Sequence, residues 1–156
     1  DQAQSYGLEL GLDYRSSPRL SWSASLGLLE TEITRFDDYR GQVFVGKEFS
    51  KAPGFMASAG LDFAVTDAWT LSVDHRISDG YFSTDINEPE LRVATYSSTD
   101  LRSSYSLSPQ LTAFVYVRNL SDKTAALRKV ADRSTGGANA YMLEPREAGI
   151  GLKANF

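Results

Sequence analysis

His75 is the only histidine in this 156-residue chain, and cysteine is absent. The lack of cysteine removes disulfides, thiolate metal sites and cysteine nucleophiles together. A serine triad needs a histidine beside its nucleophile, and no Gly-x-Ser-x-Gly elbow is present to expose one. His75 lies between Asp74 and Arg76. On a strand these two point to the opposite face, so neither stands ready as an acid–base or metal partner. Glu30 and Glu32 share a face and could be read as a carboxylate pair. Paired acids do general acid–base work where a cleft drives their pKa values apart. These two fall at a polar strand end, where solvated charge is expected. Gly149-Ile150-Gly151 precedes no helix whose N–H groups could hold a phosphate. The chain is therefore expected to be no enzyme, with no catalytic residue, metal site or cofactor.

Two other sets of residues could meet a solute. Glu9, Asp13, Arg15, Asp62, Asp74, Arg76, Asp100 and Arg102 fall on one side of alternating segments. They would form a mixed-charge wall, whose members pair across neighbouring strands for about a few tenths of a kcal/mol each. Arg35, Phe36, Tyr39, Arg40, Tyr81 and Phe82 lie in or beside two polar stretches. Cations and aromatics suit an anionic chelate, and they equally suit a solvated loop.

The elements that must position these groups are strands. Tyr6, Leu8, Leu10, Leu12 and Tyr14 alternate with Gly7, Glu9, Gly11, Asp13 and Arg15. Side chains alternate with period two along a strand, so this is a ribbon with one apolar and one polar side. Its two tyrosines are separated by roughly 20 Å along a membrane normal, given a strand tilt near 45°. Leu20, Trp22, Ala24, Leu26 and Leu28 repeat the pattern, in a strand expected to run on through Arg35. Phe55, Ala57, Ala59, Leu61, Phe63 and Val65 do so again, followed by Trp69, Leu71, Val73, Ile77 and Tyr81. A fifth strand is expected over 93–107. Its outward face holds Val93, Ser97, Thr99, Leu101, Ser103, Tyr105 and Leu107, which is more polar than a lipid-facing strip should be. A sixth begins at Leu111. The segment 119–123 is either a bulge within one strand reaching 132 or a turn, and 134–143 reads as a flexible loop. The last strand places Ala148, Ile150, Leu152, Ala154 and Phe156 on its apolar side.

Short connections at 15–19, 65–68 and 107–110 alternate with long ones at 37–53, 84–92 and 134–143. Membrane barrels alternate tight periplasmic turns with longer extracellular loops in this way. Seven antiparallel strands are counted if 110–132 is continuous, and eight if 119–123 turns. The fold class is thus all-β, with antiparallel transmembrane strands and one barrel region over 1–156. Tyr6, Tyr14, Trp22, Trp69 and Tyr105 are candidates for interfacial aromatic belts. The balance of 20 acidic against 16 basic residues disfavours nucleic acid. No apolar run approaches the roughly 20 residues of a transmembrane helix. Asp1-Gln2-Ala3-Gln4 reads as a processed or truncated end.

Five stretches carry a family resemblance: Ser5-Tyr6-Gly7-Leu8-Glu9-Leu10, Leu26-Gly27-Leu28-Leu29-Glu30-Thr31-Glu32-Ile33, Ala52-Pro53-Gly54-Phe55, Arg118-Asn119-Leu120-Ser121-Asp122-Lys123 and Gly151-Leu152-Lys153-Ala154-Asn155-Phe156. In their order and spacing they resemble the C-terminal barrel region of TonB-dependent outer-membrane receptors. The resemblance implies the last seven strands of a 22-stranded barrel that imports iron–siderophore complexes or similar nutrients. It also implies Asn119-Leu120-Ser121-Asp122 within a long penultimate strand. Partners would be outer-membrane lipid, the remaining strands and a plug, which 1–156 does not contain. The barrel-assembly machinery would read Ile150, Leu152 and Phe156. A self-standing small barrel, closed or oligomeric through its open edges, is the alternative. A soluble β-sandwich stands third.

Overall fold

The computed structural model describes residues 1–36 and 43–155. Eleven strands occur among them: β1 (Gln2–Ser17), β2 (Leu20–Arg35), β3 (Phe55–Ala64), β4 (Trp69–Ser78), β5 (Tyr81–Phe82), β6 (Arg92–Val93), β7 (Tyr96–Ser108), β8 (Leu111–Arg118), β9 (Ala126–Asp132), β10 (Gly137–Met142) and β11 (Glu147–Ala154). Seven of them form one sheet in the order β1-β2-β3-β4-β7-β8-β11, with every neighbouring pair antiparallel. The other four make two ribbons, β5–β6 and β9–β10, at the long-loop end.

Register carries the alternation across the whole sheet. Leu12 stands opposite Ala24, Ala24 opposite Ala59, and Ala59 opposite His75, so the apolar stripes of successive strands merge into one face. That face is open. Leu8, Leu10 and Leu12 are about half exposed, and Ile150 is 85 % exposed. So continuous an apolar surface is not tolerated in water by a soluble monomer and needs an apolar partner or solvent. The opposite face gathers Glu9, Asp13, Asp62, Asp74, Arg76, Asp100 and Arg102. The sheet has a polar and an apolar side, with almost nothing buried between layers.

Packing is concentrated at the long-loop rim. Leu91 and Val93 are buried there, Val93 completely. A strand beginning at 93 with Val93 outward is therefore not what forms. Val93 instead pairs with Tyr81 in the β5–β6 ribbon, and β7 starts at Tyr96. Strand β4 likewise ends at Ser78, short of Tyr81. The Gly80 N–H turns onto Asp79 Oδ1 at 2.7 Å, and a Cβ at Gly80 would lie 2.6 Å from the Val93 carbonyl. The close approach of two backbones requires glycine at that point. The stretch read as a polar loop over 84–92 contains a 3₁₀ turn, Pro89–Leu91.

The segment 110–132 is not one continuous strand. β8 stops at Arg118, and Asn119 and Asp122 adopt positive φ of 46° and 51°. Left-handed residues cannot continue a strand, and asparagine and aspartate tolerate that region better than most. The chain then leaves the sheet, forms the β9–β10 hairpin and returns as β11 beside β8. The region 134–143, expected as a flexible loop, thus supplies β10. Seven wall strands remain, because the excursion adds a ribbon and not a wall strand.

Candidate functional site

The polar face is built by strand pairs that bring its side chains opposite one another. Arg76 on β4 reaches Asp100 on β7, with Nη2 2.7 Å from Oδ2. Ser72 donates to Asp62, and the Ser25 and Ser58 hydroxyls lie 2.8 Å apart. Arg102 lies over the Phe114 ring at 3.9 Å, and Arg118 over Tyr116 at 5.2 Å. The Tyr116 hydroxyl donates to Glu147 Oε1 at 2.7 Å, while Arg118 stands 3.5 Å from the same carboxylate. Gly149 and Gly151 on β11 leave room for these rings: a Cβ at Gly149 would sit 2.6 Å from the Tyr116 ring. Most of the charged groups are well solvated, so each pair contributes about 0–1 kcal/mol. Their arrangement provides a wet, mixed-charge wall and no concentrated chemistry. Among the described residues no group of three or more His, Cys, Asp or Glu converges to hold a metal.

Two of the polar residues on the apolar face are satisfied by a neighbour across the strand pair. Thr99 on β7 stands opposite His75 on β4, with Oγ1 2.8 Å from the ring Nδ1. The Trp69 indole N–H donates to Ser103 Oγ at 2.9 Å. This accounts for two of the polar residues on the outward side of β7. His75 is thus engaged across the strand pair. Toward the short-turn end the same face collects Tyr14, Trp22, Phe63, Trp69 and Tyr105 from five neighbouring strands. Tyr14 and Trp22 meet edge-on at 5.7 Å, and Trp69 stands opposite Tyr105. Tyr6 lies at the other end of β1 and is 65 % exposed.

At the long-loop rim three connections are fastened together. Asn87 exchanges hydrogen bonds with Glu48: the Glu48 N–H donates to Oδ1 at 2.8 Å, and Nδ2 donates to the Glu48 carbonyl at 2.9 Å. The Ser50 N–H donates to Asp85, and the Lys51 N–H to the Phe82 carbonyl. The β9 strand is held in turn, because Tyr81 Oη donates to the Leu127 carbonyl and the Lys129 N–H to Ser83 Oγ. Burial pushes the Tyr81 phenol above its ordinary pKa, with Tyr96 adding to the shift.

Tyr81 and Phe82, expected at a loop surface, are both half-buried within this assembly, and Arg92 lies over the Phe82 ring at 5.7 Å. Phe36 meets Phe44 at 4.2 Å, and Arg35 closes β2 opposite Gln2. Tyr39 and Arg40 lie outside the described residues, as does Phe156. Ile150 and Leu152 project from the apolar face of β11. The Glu30–Glu32 pair sits at the exposed end of β2, with Glu32 accepting from Gln4 Nε2. Sequence reasoning passed over Asn87, Asp85 and Ser83, whose side chains bond the backbone of other segments, and Asp79, which accepts from the adjacent Gly80 N–H and the Thr95 hydroxyl. Their one visible signal is a run of turn-forming polar residues.

The family model described as TonB dependent receptor-like, beta-barrel, matches residues 1–120. The chain belongs to the TonB-dependent receptor β-barrel family. Barrels of this family lie in the bacterial outer membrane, so the apolar face is the lipid-facing wall and the mixed-charge face lines the lumen. Three solved structures reproduce the TonB-dependent receptor fold. The siderophore receptor PiuA from Acinetobacter baumannii superposes with a TM-score of 0.81 at 20 % identity, over 97 % of this chain and 22 % of its own. The ferric yersiniabactin uptake receptor FyuA from Yersinia pestis gives 0.86 at 20 % identity, over 99 % of this chain and 24 % of its own. The ferric citrate transporter FecA in its unliganded form gives 0.79 at 20 % identity, over 97 % and 24 %. This TonB-dependent receptor chain therefore spans less than a quarter of the length of those proteins.

Proposed function

We propose that residues 1–156 are one barrel region, seven wall strands of an outer-membrane TonB-dependent receptor. The receptor takes up an iron–siderophore complex or a similar scarce nutrient. One observation carries the reading. The seven-stranded antiparallel sheet has two unpaired edges, β1 and β11, which run in the same direction. Edges of that kind cannot close on each other by antiparallel pairing, and bacterial single-chain barrels use an even strand number. Further strands must complete the wall. The names of PiuA and FyuA as siderophore and ferric-yersiniabactin receptors support the cargo class.

In this reading the chain has no catalytic role. Its partners are the remaining wall strands, a plug in the lumen, outer-membrane lipid and the barrel-assembly machinery. That machinery reads Ile150 and Leu152 of β11 together with Phe156. Tyr14, Trp22, Trp69 and Tyr105 form the inner interfacial belt and Tyr6 belongs to the outer one. Arg35, Phe36, Tyr81 and Phe82 at the long-loop rim, with Tyr39 and Arg40 of the undescribed segment 37–42, are the groups proposed to meet an arriving anionic chelate.

The test is uptake of a labelled ferric siderophore by cells carrying the complete receptor, with TonB present and deleted. Import is expected only with both receptor and TonB. Residues 1–156 folding alone into a closed, heat-resistant barrel would overturn the fragment reading. A folded monomer in water without detergent would overturn the membrane reading.

A further inference from the structure

Asn119 is 3 % exposed, although it lies where the chain leaves the sheet toward the outer loops. Its side chain ties together both feet of the 119–146 excursion. Nδ2 donates to the Lys123 carbonyl at 3.0 Å and to the Glu144 carbonyl at 2.9 Å, while Oδ1 accepts the Lys123 N–H at 2.8 Å. The Arg146 N–H adds a second cross-tie, to Asp122 Oδ1 at 2.9 Å. These bonds close a neck, above which β9 and β10 pair with each other.

The neck meets the wall at β7 through two backbone N–H groups: that of Leu120 donates to the Thr99 carbonyl at 2.8 Å, and that of Asn119 to a side-chain carboxylate. The Asn119 N–H donates to Asp100 Oδ1 at 2.9 Å, and Asp100 Oδ2 holds the lumenal Arg76 at 2.7 Å. Asp100 also stands directly opposite Asp74 in the β4–β7 register. Like charges placed opposite each other across strands repel. Arg76 offsets that repulsion, and without it the Asp100 carboxylate moves away from Asp74 and off the Asn119 N–H. A cavity of about 540 Å³ separates the neck from the wall, lined by Arg76, Asp100, Arg118, Asn119 and Glu144 among others. A solute group in the lumen can reach Arg76 from that cavity.

We propose that Asn119 and Asp100 are positioning residues that couple the charge state of the lumen at Arg76 to the hold on the outer β9–β10 hairpin. An anionic group that draws Arg76 away from Asp100 loosens the neck. The coupling relies on the loops lying outside the membrane and on no particular cargo.

Trypsin applied to intact cells carrying the complete receptor tests this without any transport readout. Lys123 is exposed within the neck, and Arg133 is exposed at the hairpin tip as an internal reference. Cleavage of a transiently opened segment follows the population of its open form, so losing the neck bonds in Asn119→Ala raises the Lys123 rate by about tenfold relative to Arg133. Arg76→Gln, bonded to the other side of Asp100, is expected to raise the same ratio by about threefold or more. Arg76→Lys restores it toward the parent value. A heat-modifiable band at the parent position confirms an intact barrel in each variant. If Arg76→Gln leaves the ratio unchanged while Asn119→Ala raises it, the neck is structural only and the coupling is wrong. If neither variant changes it, Asn119 does not hold the neck.

Discussion

A methyl group added at Gly151 overlaps the Phe114 ring, and one at Gly149 overlaps Tyr116. Each ring lies across the last strand because a glycine stands opposite it. Bare glycine weakens a strand, and a cross-strand aromatic lying over it restores packing and pins the register. Gly151→Ala in the complete receptor is expected to lower stability by about 1 kcal/mol through overpacking, read as a shifted urea midpoint. In a Phe114→Ala background the same substitution should cost nothing, because the space is then open. Equal cost in both backgrounds would show that the ring does not set the requirement. At the hairpin tip, the Asp132 carboxylate accepts the Ser134 N–H at 2.9 Å and the Ser134 hydroxyl at 2.6 Å. Those bonds, with lesser ones from Thr135, lower its pKa to about 2. A depressed carboxyl stabilises the folded turn fully above its unfolded pKa of about 3.9, and loses that contribution as pH falls through its folded value. The turn should therefore stay ordered at pH 4 and loosen toward pH 2. Following the Asp132 carboxyl resonance by NMR checks this, with Ser134→Ala moving its titration back toward the ordinary range.

At the scale of elements, the β4–β7 pair explains how a polar stripe survives against lipid. Ser97, Thr99 and Ser103 argue against an outward face when β7 is read alone. Two of the three find partners on β4 that lie over twenty positions away in sequence, His75 and Trp69. Alternation reports the face of a residue, not the neighbour across the ladder, so this compensation was not legible. The seven wall strands were legible, because period two survives wherever one face meets lipid and the other water. Strand β10 of the outer ribbon was not, since both of its faces are exposed and neither side selects apolar residues. The same holds for the rim core, where Leu91 and Val93 are two apolar residues in a polar stretch. Interhelical polar pairs in membranes average about 0.6 kcal/mol, and a cross-strand pair facing lipid should fall in a range of about 0.5–1.5 kcal/mol. A double-mutant cycle of His75→Leu and Thr99→Val, measured on the refolded complete receptor, is expected to return a coupling of that size. Thr99→Val alone should be the costlier single change, because it leaves a ring nitrogen unpaired in hydrocarbon. A coupling near zero would mean that His75 reaches water or headgroups and does not depend on Thr99.

For the whole molecule, the distribution of packing and pairing decides what this chain can be. A domain that folds alone buries an apolar core between layers. Here much of the lipid-facing side is open, and among the described residues the one large side chain that is fully buried is Val93 at the outer rim. Stability of the wall must come from ladder hydrogen bonds, a surrounding bilayer and closure of the sheet, since lipid gives no water to an unpaired N–H. The five inner strands have both edges paired, whereas β1 and β11 each turn one edge outward. Alternate amides on those two edges thus report directly whether further strands complete the wall. In the complete receptor, hydrogen exchange at the outward amides of β1 and β11 should be as slow as at β4. In residues 1–156 refolded alone in detergent, the same amides should exchange about a hundredfold faster or more, because opening them breaks no ladder bond. Rapid exchange at those edges within the complete receptor would mean that its wall does not close across β1 and β11. The chain would then not be seven strands of a larger barrel.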